Sequence, residues 1–160
     1  MNSKLNRRRL VMTMALAGAV GILASCTQMG SMGSMGSMGS MGAMMGGQQV
    51  TLSGSNEVPP VTTSATGSGT VTIKTDRSVS AKITVAGMTA TAAHIHEGAA
   101  GANGPVIVPF TKTGDNTFAA AEGAKMTESQ YAAYKAGNTY VNVHTAANPG
   151  GEIRMQLKGN

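Results

Sequence analysis

Thr70-Val71-Thr72-Ile73-Lys74-Thr75-Asp76-Arg77-Ser78-Val79-Ser80-Ala81-Lys82-Ile83-Thr84-Val85 is two runs of alternating residues around a polar turn. Val79, Ala81, Ile83 and Val85 fall on one face and Ser80, Lys82 and Thr84 on the other, while Val71 and Ile73 alternate with Thr72 and Lys74. An extended chain points successive side chains to opposite faces, so period two sorts these residues into an apolar and a polar side. The pattern predicts a half-buried hairpin turning at Thr75–Ser78.

The neighbouring segments read the same way. Upstream, Val50 and Leu52 begin a short strand ending at Gly54. Asn56-Glu57-Val58-Pro59-Pro60 cannot continue it in a central position, because proline donates no ladder hydrogen bond. Downstream, strands are predicted over Thr91–His96, Pro105–Thr111, Thr117–Ala121, Thr139–Thr145 and Glu152–Lys158. One helix signal interrupts them: Thr127 and Gln130 stand at capping-box spacing, Tyr131 and Tyr134 share a face, and Gly137-Asn138 stops the run. Trp is absent and only five residues are Phe or Tyr, so the core must come from Val, Ile, Leu, Ala and Met. Residues 48–160 are predicted to form one all-β domain, an antiparallel Ig-like or Greek-key sandwich or barrel with one short inserted helix.

The N-terminal part differs in kind. Lys4 and Arg7-Arg8-Arg9 precede an apolar run from Leu10 to about Leu23, the layout of an export signal and too short to span a bilayer comfortably. The run ends in Leu23-Ala24-Ser25-Cys26, similar to the lipobox of bacterial lipoproteins. Residues 1–25 are therefore predicted to be a removed signal peptide. Cys26, the only cysteine, is predicted to carry palmitate-type acyl chains that hold the protein on a membrane. By the same resemblance, Thr27 after the cysteine favours the outer membrane of a Gram-negative envelope, facing the periplasm. Cleavage removes four of the twelve basic residues and leaves eight against seven acidic ones, a net charge of +1 instead of +5. No basic patch with interleaved aromatics remains, which argues against nucleic acid as a partner.

Residues 26–47 hold Cys26 and a tether in which, from Met29 to Gly47, the chain repeats Met-Gly-Ser, with Met at 29, 32, 35, 38, 41, 44 and 45. A three-residue period matches no helix or strand face, and glycine at every third position makes order costly. The segment reads as a flexible tether of about 25 Å r.m.s. span. Thioethers at this density are also soft ligands suited to Cu(I).

Candidate chemistry lies in Ala93-His94-Ile95-His96-Glu97-Gly98 and Tyr140-Val141-Asn142-Val143-His144-Thr145. His94 and His96 share one strand face, and Asn142 and His144 share another. With Ile95 and the valines turned to the core, all three histidines point away from it. Paired strands lie about 4.8 Å apart, so the imidazoles could converge on one Cu or Zn ion with an open fourth position, supported by Glu97, Asn142 or Glu152. The competing expectation is a structural polar cluster that fixes the Gly98–Gly104 loop against the Asn148–Gly151 turn.

Ser55-Asn56-Glu57-Val58-Pro59-Pro60, Ala93-His94-Ile95-His96 with Gly98, and Gly101-Ala102-Asn103-Gly104-Pro105-Val106 resemble, in order, the CHRD domain first named from chordin. So do Tyr140-Val141-Asn142-Val143-His144-Thr145, Asn148-Pro149-Gly150-Gly151-Glu152-Ile153-Arg154 and Gln156-Leu157. Met155 stands where that family usually has Gly. The resemblance implies an all-β binding or structural module with no agreed catalytic residues. His-x-His and the glycine-rich loop are also loosely similar to copper–zinc superoxide dismutase, but three histidines are too few for its two-metal site. No Ser-His-Asp arrangement, catalytic cysteine or phosphate loop is legible. The expected role is a non-enzymatic, lipid-anchored module of the cell envelope that binds an envelope protein. The alternative is a copper or zinc binder using His94, His96 and His144, with or without the Met-rich tether.

Overall fold

A computed structural model describes residues 47–159. The predicted signal peptide, Cys26 and nearly all of the Met-rich tether lie outside the described residues.

The opening hairpin forms as its alternation requires. Strands β2 (Thr66–Ile73) and β3 (Val79–Ala86) pair antiparallel, with Val71 opposite Ala81 and Ile73 opposite Val79. β3 is buried at every second residue from end to end. The turn is closed by the Asp76 carboxylate, which accepts hydrogen bonds from the Ser78 amide and hydroxyl at 3.0 and 2.6 Å. β2 begins four residues earlier than the sequence predicts, because Gly67 and Gly69 lie within a regular ladder. A Cβ at Gly67 would press on the Ile153 side chain, and one at Gly69 on the Lys82 carbonyl.

Six further strands complete the domain: β1 (Gln48–Ser53), β4 (Ala90–Glu97), β5 (Val106–Gly114), β6 (Thr117–Ala120), β7 (Thr139–Thr145) and β8 (Ile153–Gln156). Their order around the sheet is β1-β2-β3-β6-β5-β4-β7-β8, and β8 returns to β1 through the pair Ser53–Arg154. Of the two expected architectures the barrel forms, and the Ig-like sandwich does not. One sheet closes on itself, and every strand has two neighbours. β4, β5 and β6 follow one another as hairpins while β7 lies beside β4, which is Greek-key connectivity. An eight-stranded barrel has an interior just wide enough for side chains to fill. Medium aliphatics suit that space: Leu52, Ile83, Ile95, Val141, Val143 and Ile153 are sealed inside, with Phe118 the largest apolar member.

Helix α1 (Glu128–Lys135) sits between β6 and β7. Thr127 caps it: its hydroxyl accepts from the Gln130 amide, and the Gln130 side chain accepts from the Thr127 amide. The helix contributes Tyr134 to the apolar core. No helix among the described residues is long and apolar enough to cross a membrane.

β7 positions the site. All seven of its residues are buried. Val141 and Val143 face the barrel interior, so Tyr140, Asn142 and His144 face outward and yet are covered.

Candidate functional site: a covered histidine cluster on the barrel wall

The outward faces of β4, β7 and β8 form a second, polar layer. Across the three strands, His94 stands opposite Asn142 and Asn142 opposite Arg154; His96 stands opposite Tyr140 and Tyr140 opposite Gln156. His144 lies one step further along, opposite Ala92. Three loops cover the layer. The segment after β1 supplies Glu57, which accepts from the Asn142 amide at 2.7 Å, and Thr63, which donates to Glu152 at 2.8 Å. The loop between β4 and β5 ties to that segment through Asn103, whose amide donates to the Val58 carbonyl at 2.7 Å. The turn between β7 and β8 is held by Glu152, which accepts from Thr145 and Asn148.

Under this cover the three histidines meet. One ring nitrogen from each lies within 4.8 Å of the others. His96 and His144 are buried and His94 is partly exposed. Two of the rings are oriented by backbone carbonyls. His96 Nδ1 is 3.0 Å from the Gly104 oxygen and His144 Nδ1 is 3.0 Å from the Pro149 oxygen. A carbonyl only accepts, so both Nδ1 atoms must carry the proton, and both Nε2 atoms are left with a free lone pair. His144 Nε2 uses its lone pair on His94 Nδ1, 3.0 Å away, which makes His94 the donor of that bond. His96 Nε2 is buried with no protein partner, as are Asn142 Oδ1 in the same layer and Thr139 Oγ1. A buried acceptor without a partner is unusual in a native protein and calls for an explanation.

The electrostatics favour neutral imidazoles. Burial pushes the His94 pKa down to about 4, with the neighbouring His144 and His96 adding to the effect. Burial likewise lowers His96, against its bond to Gly104, and the Arg154 charge lowers it further. His144 is lowered by burial, against its bond to Pro149. Neutral imidazole is the form that binds a metal, and a metal-binding histidine usually donates its other N–H to a carbonyl or carboxylate. Tetrahedral coordination at 2.0–2.1 Å sets ligand nitrogens about 3.4 Å apart. The three ligand nitrogens start within 4.8 Å of one another, and an ion would take the place of the His94–His144 hydrogen bond, with His94 presenting its unprotonated nitrogen.

The structure gives different work to the three supporting candidates. Glu97 follows His96 along the strand and so points to the opposite face; it is not in the cluster. Glu152 secures the β7–β8 turn, and its hydrogen bonds, Thr145 foremost, hold its pKa below the usual carboxylate value against the opposing effect of burial. Asn142 binds Glu57. The orienting groups are carbonyls, which residue types alone do not reveal. Also unread in the sequence as site residues were Glu57, Tyr140 and Arg154. The Tyr140 ring stacks on His96 at 4.9 Å between centroids and 8° between planes, and the Arg154 guanidinium lies 3.4 Å from the centre of the Tyr140 ring.

Fold and site together define a closed Greek-key barrel with a second, polar layer on its outer wall, centred on three histidines. The family model of the CHRD domain matches residues 48–157, and the chain belongs to that family. No curated protein and no solved structure shows significant similarity to it.

Proposed function

We propose that this CHRD-domain protein is an exported, lipid-anchored metal-binding module that holds one Cu or Zn ion through His94, His96 and His144. The observation that carries the proposal is the pair of carbonyl-fixed tautomers. Gly104 and Pro149 turn the Nε2 lone pairs of His96 and His144 into a shared space, where His96 Nε2 has no protein partner. The imidazole set suits Zn(II) or Cu(II), while the Met repeat between Cys26 and the barrel offers thioethers for Cu(I). The role is binding without turnover. In the same proposal the export signal and the acyl chains on Cys26 place the barrel at the envelope surface, within reach of an envelope protein partner.

The test uses the mature chain, stripped with EDTA and titrated calorimetrically with Zn(II) and Cu(II), with Co(II) absorption as a geometric probe. One ion per chain with a submicromolar Kd is expected, lost in His96→Ala and in His144→Ala. Wild-type binding no tighter than micromolar would leave the histidines as a clamp between the β4–β5 loop and the β7–β8 turn, and would end the metal proposal.

A further inference from the structure

Arg154 is the most deeply buried charged residue of the described chain, 1% exposed, and it touches none of the histidines' nitrogens. Its guanidinium is aimed at the β4–β5 loop. Nη2 donates to the Ala99 and Ala102 carbonyls at 3.3 and 2.9 Å, and Nη1 donates to the Asn103 side chain at 3.1 Å. Gln156, which also accepts from Nη2, donates to the Gly98 carbonyl at 2.9 Å. The flat side of the guanidinium lies on Tyr140. The Tyr140 hydroxyl accepts from the Gly104 amide at 3.1 Å, and the other face of its ring is stacked on His96. The next atom in this chain of contacts is the Gly104 oxygen, which fixes the His96 proton on Nδ1.

We infer that Arg154 is the positioning residue of the histidine centre: it holds the Ala99–Gly104 loop and the Tyr140 ring as one unit, and that unit sets the tautomer and orientation of His96. This rests on the metal-binding proposal for its purpose, though not for its geometry. Two routes converge on His96. Through the loop, Arg154 gathers carbonyls that would otherwise turn to water, which keeps the Gly104 carbonyl aimed at Nδ1. Through the stack, it presses Tyr140 flat against the imidazole. Lysine keeps the charge but has neither the planar face nor the forked donors, so it cannot do both. Gly104 allows the loop its close approach, since a Cβ there would run into the Glu97 carbonyl. An orienting group one step removed from a ligand typically changes metal affinity by about 10–100-fold when lost.

The test compares wild type, Arg154→Lys, Tyr140→Phe and, as a control far from the site, Thr127→Ala. Tyr140→Phe keeps the ring and removes only the acceptor of the Gly104 amide, so it serves if Arg154→Lys does not fold. Two readouts are taken on folded mature chain: the Zn(II) Kd, and the 15N shifts and long-range couplings of His96 in metal-free protein, which identify its tautomer. Arg154→Lys and Tyr140→Phe are expected to weaken Zn(II) binding by about 10–100-fold, and to change His96 from a single Nδ1–H form to a mixture. Thr127→Ala is expected to lower stability and leave both readouts unchanged. Wild-type Zn(II) affinity and an intact Nδ1–H signature in the folded variants would overturn the inference. If wild type itself binds no Zn(II), the metal proposal fails and the tautomer of His96 alone decides the role of Arg154.

Discussion

Replacing Glu57 by Gln should remove a pH dependence of stability that the wild-type protein carries. Glu57, carried by the segment that follows β1, is buried. Burial pushes its pKa up from an ordinary 4.5 to about 7, against the pull of Arg154 and of hydrogen bonds from the Val58 amide and Asn142. Between those two values the unfolded chain has released the proton and the folded chain retains it. The Glu57 contribution is therefore fully present below pH 4.5 and lost as pH rises through about 7. At ~1.4 kcal/mol per pKa unit, the loss amounts to about 3 kcal/mol. The histidines act in the opposite sense: with folded pKa values below the ordinary 6.5, they stabilise at high pH and lose that contribution as pH falls. They are common to both proteins and cancel in the difference. Gln is nearly isosteric and stays neutral, so Glu57→Gln has no proton to lose. Urea unfolding in EDTA at pH 5, 6, 7 and 8 measures the effect. The wild-type stability should fall relative to the variant by about 2–3 kcal/mol across that range, mostly below pH 7. Parallel curves from pH 5 to 8 would refute the account of Glu57 as a buried, proton-retaining carboxyl.

Two further outcomes follow from separate parts of the chain. Thr127→Ala removes the hydroxyl that caps α1 and should cost about 1 kcal/mol in chemical unfolding; an unchanged midpoint would mean that the helix is held by Tyr134 packing alone. Cys26→Ser should move the protein from the membrane fraction to the soluble fraction after export, since no acyl chain can then be attached. Persistence in the washed membrane pellet would rule out the lipid anchor.

Period-two alternation made the β2–β3 hairpin readable, because each of its strands has one face on the core. β7 was readable to the residue, since its valines alternate with Tyr140, Asn142 and His144. The sequence allowed the three histidines to converge if their two strands paired; β4 does pair with β7, and one ring nitrogen of each lies within 4.8 Å of the others. Closure was not readable. Whether β6 joins β3 and β8 joins β1 is decided by contacts between residues far apart in sequence, and local alternation looks alike in a sandwich and a barrel. The burial of the outward face was hidden for a related reason. The cover comes from the irregular Asn56–Ala65 segment and two turns, whose hydrogen bonds run to side chains on distant strands. Arg154 reads in sequence as a polar residue alternating out of β8; only the loop carbonyls folded over it make it interior.

A ring of eight strands in which β8 returns to β1 through the Ser53–Arg154 pair leaves little open sheet edge. Open sheets present unpaired amides and carbonyls that invite a strand from another molecule. Copies tethered to one membrane would be confined to two dimensions at high local concentration, where edge-to-edge zippering is a standing hazard. A sheet that closes on itself offers little margin for such zippering, so a partner would engage its loops or strand faces rather than extend its sheet.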